Sequence, residues 1–193
     1  MEEEGVKSAL ELAMERIAAL PQLTAQEIAE QKERENAPVG KAIVVKYLSG
    51  TLSSEELPLE LNRYQGERQQ MIRRSLLMSL CRELRLGNTL QDVERALLGM
   101  ATVAPQKRDA CEEAARGFHT ILDAFETAKQ KVLGEFGEVA GRDLIQLGIR
   151  GSAVRPNLNE NESWKRHLAA MRQAQEPKLE KIRKDLLEEV LRG

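Results

Sequence analysis

The sequence has few of the residue types that carry most enzyme chemistry. In 193 residues there are two cysteines and two histidines, and the motifs H-E-x-x-H, C-x-x-C and G-K-[ST] do not occur. Neither His119 nor His167 follows a glutamate at the Glu-x-x-His spacing of di-iron helical bundles. The sequence therefore predicts a protein that is not an enzyme and that needs no metal and no cofactor.

The remaining nucleophiles and bases are poorly placed for catalysis. Cys111 precedes His119 by about two helical turns, so the two side chains cannot touch along one helix. Cys81 stands between Leu80 and Leu84, where a free cysteine behaves as a small apolar residue. His119 and Asp123 share a helix face and together offer two metal ligands, but a solvated pair is the simpler interpretation.

The sequence also lacks a secretory signal, an apolar run long enough to span a membrane, and a large excess of one charge. The first ten residues, MEEEGVKSAL, have neither the basic region nor the apolar core of a secretory signal. No apolar run approaches the roughly 18 residues that a membrane span needs. With 29 basic and 31 acidic residues, nothing drives the whole chain toward nucleic acid or a membrane. We expect a cytoplasmic protein with no membrane partner.

The residues that are present favour helices. Hydrophobic residues make up 41% and charged residues 31%, with only 3% aromatic, a composition typical of helical proteins. Within 106–136, apolar residues recur at spacings of three and four, which predicts a central helix with one buried face. This central stripe contains Ala114, Phe118, Ile121, Phe125, Ala128, Val132 and Phe136.

Further helices are predicted before the central one. Residues 6–20 form an amphipathic pattern, and Thr24 with Glu27 is a capping box for a helix that Pro38 ends or kinks. Residues 41–48 favour a helix over a strand, since no second strand-like run exists to pair with them. Residues 58–86 form one broad apolar helix, and a shorter one starts at Asn88 or Thr89 and runs to about Thr102.

After the central helix, helicity weakens at Gly134, Gly137 and Gly141 and returns over 164–192. Pro177 either kinks that last helix or starts a new one, and Asn159 or Ser163 is its expected cap. The predicted fold is all-α, with a helical bundle (1–104) followed by a long antiparallel, coiled-coil-like helical hairpin (105–193). The loop or tip of this hairpin is expected at 148–163.

The tip is the first candidate interaction surface. A loop of this length in a compact helical protein tends to be functional or disordered, and its apolar residues pack on the hairpin or on a partner. The alternative is a connector folded back on its own hairpin. The partner-binding candidates are Ile149, Arg150, Val154, Arg155, Asn157 and Leu158.

The second candidate surface is an arginine-rich face within 63–85, which contains no lysine. Guanidinium groups pair with phosphates as well as carboxylates, so this face either pairs with the acidic N-terminal region or binds nucleic acid. The candidates are Arg63, Arg68, Arg73, Arg74, Arg82 and Arg85.

These observations predict a non-enzymatic scaffold or adaptor that binds protein, chiefly itself as a homodimer. The apolar stripes of the two hairpin helices could close on each other or on a second copy. The alternative is an RNA- or ribosome-associated factor that uses the arginine-rich face.

Overall fold

The computed structural model describes residues 8–10, 14, 24–148 and 161–192, and this part of the chain is all-α. It contains helices α1 (Ala25–Leu48), α2 (Glu56–Leu61), α3 (Gly66–Cys81), α4 (Leu90–Val103), α5 (Arg108–Gln146) and α6 (Glu162–Leu191). A 3-10 turn over Pro105–Lys107 joins α4 to α5. No strand occurs among the described residues. The predicted all-α class is confirmed.

Helix α1 begins at its predicted capping box, where the Thr24 hydroxyl accepts from the Glu27 N–H and the Glu27 carboxylate accepts from the Thr24 N–H. The helix continues through Pro38 to Leu48, so the proline does not end it. Residues 41–48 are helical, as predicted, and the side chains of Ile43 and Tyr47 are buried in the core. Packing of this face stabilises the helix against the local strand preference of its residues.

The prediction of one helix over 58–86 is wrong. The chain leaves the helix after Leu61, turns, and starts α3 at Gly66, whose φ of 57° lies in the left-handed region. The Gln69 amide holds this turn by donating to the Leu61 carbonyl oxygen and to Asn62 Oδ1. Helix α3 then ends at Cys81, although Leu84 is still buried. The apolar spacing continues past Cys81 to Leu84, so it could not reveal that break. The break near Gly66 falls in a stretch, residues 65–70, that contains no apolar side chain, and this was the available signal.

Helix α4 starts at Thr89, whose hydroxyl forms a capping box with Asp92. Helix α5 is continuous for 39 residues and passes through Gly134, Gly137 and Gly141 without interruption. The sequence left open whether the helix continues through these glycines, and the structure shows that it does. The free-energy cost of three glycines in a helix is spread over a long element.

The central stripe on α5 is only partly buried. The prediction holds for its first half, where Ala114, Phe118, Ile121 and Phe125 are buried. Val132 and Phe136 are half-buried, and Ala128 is exposed, which contradicts the prediction for the second half. The core cluster contains no α5 residue beyond Phe125, so the rest of the helix has fewer neighbours to cover it.

Helix α6 runs through Pro177 as one element. Its cap is Asn161, whose side chain accepts from the Ser163 and Trp164 N–H groups, so the prediction of Asn159 or Ser163 is wrong. Glu180 and Lys184 have the i,i+4 spacing of an ion pair on a helix, but each lies beside another partner. Glu180 pairs with Arg183 at 2.6 Å, and Lys184 lies 4.0 Å from Glu188.

One cluster of buried residues contains side chains from each of the helices α1 to α6. Among the described side chains, those of α5 beyond Phe125 and those of α6 before Leu179 contribute no buried residue to it. Contacts between α5 and α6 include Gly117 with Ile182 and Phe136 with Trp164, and Lys107, just before α5, lies 3.6 Å from Glu189. The antiparallel hairpin, the division of the chain near residue 104 and the tip at 148–163 stay predictions.

The predicted first helix, residues 6–20, is described only at a few positions. Ala9, Leu10 and Met14 are helical and exposed, and its other apolar residues lie outside the described part of the chain. Among the helices of the described residues, none combines the length and apolar content that crossing a membrane requires.

Candidate interaction surfaces

The two cysteines are buried thiols. Burial raises the pKa of Cys81 to about 12 and that of Cys111 to about 11, because a thiolate would lose its hydration. Cys81 Sγ also donates to the backbone carbonyl oxygen of Arg183 at 3.5 Å. Both side chains therefore stay protonated at neutral pH and act as part of the core.

His119 contacts a different carboxylate from the one that the sequence suggested. Its Nε2 lies 3.6 Å from Glu94 Oε1 on α4, so the residue links α5 to α4 rather than pairing with Asp123 along its own helix. In the described part of the chain, no three His, Cys, Asp or Glu side chains come together as a metal site would require.

Arg183 was not singled out by the sequence, and it joins α6 to the segment after α3. Its guanidinium group is held by Glu176 and Glu180 on the same helix. The same group donates to the Leu84 carbonyl oxygen at 3.0 Å. A charged group that binds a backbone carbonyl in this way stabilises the packing of the two segments, and nothing in its sequence context distinguishes it from other surface arginines.

The predicted partner-binding residues, Ile149, Arg150, Val154, Arg155, Asn157 and Leu158, all lie outside the described residues. The chain on either side is described. We call residues 126–148 and 162–178 the distal arm. Within it, Trp164 is buried and packs edge-on against Phe136 at 5.7 Å between ring centroids. The His167 ring lies 5.9 Å from the same phenylalanine.

The end of α5 exposes apolar side chains. Val139 is 52% exposed, Ile145 54% and Leu147 75%, and all three lie beyond the Phe136–Trp164 contact. Single exposed apolar residues are ordinary on protein surfaces, but three within nine residues form a concentrated apolar region. This region leads directly into residues 149–158, where the predicted tip stands.

The six arginines of the predicted nucleic-acid face have different environments. Arg63 pairs with Glu60 at 2.7 Å, and Arg85 lies 3.6 Å from Glu83. Arg68 donates from Nε to Asn36 Oδ1 at 3.1 Å, and its guanidinium carbon lies 5.3 Å from the Tyr64 ring centroid. These three are occupied by neighbours within the chain.

The other three arginines are less engaged. Arg73 is half-buried, and its Nε has no hydrogen-bond partner among the described residues. Arg74 and Arg82 are exposed, and neither side chain pairs with a carboxylate in the part of the chain that the structure describes. The predicted pairing with the acidic N-terminal region is not seen over residues 24–36. An ion pair between this stretch and α3 has the charges reversed: the basic residue, Lys32, is on α1, and the acidic residue, Glu67, is on α3 at 2.6 Å.

Arg74 and Arg82 border a groove that the sequence did not predict. Helices α1 and α3 enclose it, and its volume is about 360 Å³. It is lined on α1 by residues between Gln26 and Lys41, and on α3 by residues between Met71 and Ser79, with Arg82 just after the end of that helix. The available signal was the recurrence of Ala29, Glu33, Ala37 and Lys41 every four residues, a spacing that places them on one helix face.

The structure thus offers the apolar end of the distal arm, the free arginines and the groove beside them as surfaces for binding. Comparison with protein-family models, with curated proteins and with solved structures finds none that matches this chain.

Proposed function

We propose that this protein acts by binding protein chains, chiefly a second copy of itself, and that the distal arm is the contact surface. The observation that carries the proposal is the exposure of Val139, Ile145 and Leu147 at the end of α5. Burying an exposed side chain of this size contributes about 1.5–3 kcal/mol, so two copies that cover these residues gain a substantial association energy.

The positions of these residues around the helix support a partner beyond α6. At about 100° per residue, Leu147 lies about 80° from Val139, and Ile145 about 120° from it on the other side. One packed neighbour covers a single stripe of a helix, which is narrower than this spread. Ile145 lies about 180° around the helix from Phe136, which contacts Trp164 of α6, so its side of the arm is open to a second copy. The role of a scaffold or adaptor follows from such a binding arm.

A triple substitution tests the proposal. Val139→Gln, Ile145→Gln and Leu147→Gln in one chain should convert a dimer to a monomer, as measured by light scattering across a range of protein concentrations. The matched control replaces three exposed apolar residues outside the arm, namely Val45, Leu59 and Leu98, which are 66%, 65% and 50% exposed. This control should remain dimeric. A monomeric wild-type protein, or an arm variant that is still a dimer, would contradict the proposal.

A second candidate function is binding of RNA, favoured by the free side chains of Arg74 and Arg82. A guanidinium group without an internal carboxylate partner is available to a phosphate. The two residues lie eight positions apart on the same segment, so they can contact the same strand.

Salt dependence separates this candidate from apolar association. Each phosphate contact contributes about 0.7–0.9 to the slope of log affinity against log salt concentration. The double substitution Arg74→Ala and Arg82→Ala should therefore reduce the slope for single-stranded RNA by about the contribution of two phosphate contacts. The control, Arg63→Ala with Arg85→Ala, removes arginines that already have carboxylate partners and should change the slope less. Equal effects of the two pairs would rule out a special role for Arg74 and Arg82.

A further inference from the structure

A cavity lies where α2, the first half of α3 and the end of α4 meet the 3-10 turn. Its volume is about 350 Å³, within the range of about 300–1,000 Å³ of sites that hold small molecules. The apolar part of its wall consists of Pro58 and Leu61 on α2 and Val103 at the end of α4. The polar part consists of four carboxamide side chains and one arginine, namely Asn62, Gln69, Gln70, Gln106 and Arg73.

The charge in this cavity has one sign. Arg73 is the one charged side chain that lines it among the described residues. Arg73 also lines a neighbouring cavity, whose carboxylate, Glu67, is held by Lys32 at 2.6 Å. The groove between α1 and α3 differs, because Glu30 and Glu33 line it together with cationic side chains. The cavity beside α2 therefore favours an anion, and one guanidinium group balances a single negative charge.

The guanidinium group of Arg73 has unused hydrogen-bonding capacity. Its Nε is buried and has no hydrogen-bond partner among the described residues, and the group forms no ion pair with any of them. A buried donor without a partner is unfavourable. A ligand that accepts a hydrogen bond from Arg73 therefore removes an existing cost as well as adding a contact.

The carboxamides around Arg73 differ in what they can offer. The Gln69 amide is engaged, since its nitrogen donates to the Leu61 carbonyl oxygen and to Asn62 Oδ1. The side chains of Gln70 and Gln106 are exposed and form no hydrogen bond with the part of the chain that the structure describes. Their amide nitrogens can therefore donate to a ligand.

We propose that this cavity binds a small organic molecule that carries a single carboxylate. The carboxylate accepts from the Arg73 guanidinium group, whose planar shape suits two oxygens, and from the amides of Gln70 and Gln106. The hydrocarbon part of the ligand lies on Leu61 and Val103. A phosphate monoester carries about −1.5 to −2 charges at pH 7, which one guanidinium group neutralises only in part. No residue of the distal arm lines this cavity, so the site is independent of self-association.

Titration of the ¹⁵N-labelled protein with sodium butyrate tests the proposal by nuclear magnetic resonance. The Nε–H signal of Arg73 and the side-chain amide signal of Gln106 should shift along a saturable curve. Sodium chloride at the same concentrations should produce no saturable shift. Methyl phosphate and n-butanol are the comparison ligands, and both should bind more weakly than butyrate because the first carries excess charge and the second carries none.

Three variants identify the residues that hold the carboxylate. Arg73→Gln should weaken butyrate binding by about tenfold or more, measured on the Gln106 signal, because charge-assisted hydrogen bonds are lost. Arg74→Gln is the matched control, since it removes the next guanidinium group along α3, which does not line the cavity, and it should leave the affinity unchanged. Gln106→Ala changes an exposed side chain, and it should weaken binding by about two- to fivefold, measured on the Arg73 signal.

Several results would overturn the proposal. One is the absence of a saturable shift with butyrate, and another is equal weakening by Arg73→Gln and Arg74→Gln. Tighter binding of methyl phosphate than of butyrate would show a phosphate site instead. Equal binding of n-butanol and butyrate would show an apolar cavity in which the Arg73 guanidinium group takes no part.

Discussion

Replacing Phe125 with alanine is expected to lower the free energy of unfolding by about 3–5 kcal/mol, because it leaves a cavity as large as a benzene ring in the core. Phe125 is buried at the point where α5 leaves the core cluster. The cluster also contains residues of α3, α4 and α6, so the cavity would not close by moving one side chain. Urea denaturation monitored by circular dichroism measures the loss as a shift of the midpoint with little change of slope.

Phe136→Ala is the matched control, since the same atoms are removed from the same helix. Phe136 is half-buried on the distal arm, and its main aromatic partners are Trp164 and His167. We expect a smaller loss, because part of its surface is already in water and less apolar area is exposed by its removal. Equal losses for the two variants would show that the core extends along the arm, contrary to the burial pattern.

Gly40→Ala is expected to destabilise the protein by about 1–3 kcal/mol, although alanine is the better helix former. A Cβ at this position would lie 2.8 Å from the Ile72 carbonyl oxygen and 2.9 Å from the Leu76 backbone nitrogen. These are backbone atoms of α3, which cannot rotate away as a side chain can. Helices α1 and α3 would have to separate, and the thermal midpoint should fall by several degrees.

Gly134→Ala should have the opposite sign. Gly134 lies in α5 with no atom within 4 Å of its expected Cβ, so the substitution adds only helix propensity. We expect a gain of about 0.5–1 kcal/mol in the free energy of unfolding. If both substitutions stabilised the protein, the close contact of α1 with α3 at Gly40 would be wrong, and with it the geometry of the groove between these two helices.

Local signals predicted the helices well where the responsible atoms are close in sequence. The Thr24 and Thr89 capping boxes are formed by side chains within one helical turn, so the starts of α1 and α4 could be predicted. The break after Cys81 could not, because buried residues continue at helical spacing through it to Leu84. The break near Gly66 lies in the polar stretch 65–70, and the apolar residues on both sides of that stretch suggested one helix instead. What ends those helices is a set of turns whose hydrogen bonds are visible only in three dimensions.

The candidate sites show the same limit. The composition, and the lack of known catalytic and metal-binding motifs, left few kinds of chemistry to consider. The apolar periodicity of α5 predicted that Phe118 and Phe125 are core residues, and the structure confirms this. Which arginine is paired and which is free depends on where other helices place their carboxylates. Arg63 and Arg85 have carboxylate partners, and Arg74 and Arg82 have none among the residues that the structure describes, although all four look alike in sequence.

The sequence by itself determined that the chain is helical and where its apolar stripes lie, since both follow from side-chain chemistry repeated over a few residues. Tertiary structure alone decided how much of each stripe is buried. On α5, the same spacing of apolar residues is buried up to Phe125 and partly or fully exposed beyond it. The reason is that burial depends on neighbouring helices, and beyond Phe125 the core cluster no longer accompanies the helix.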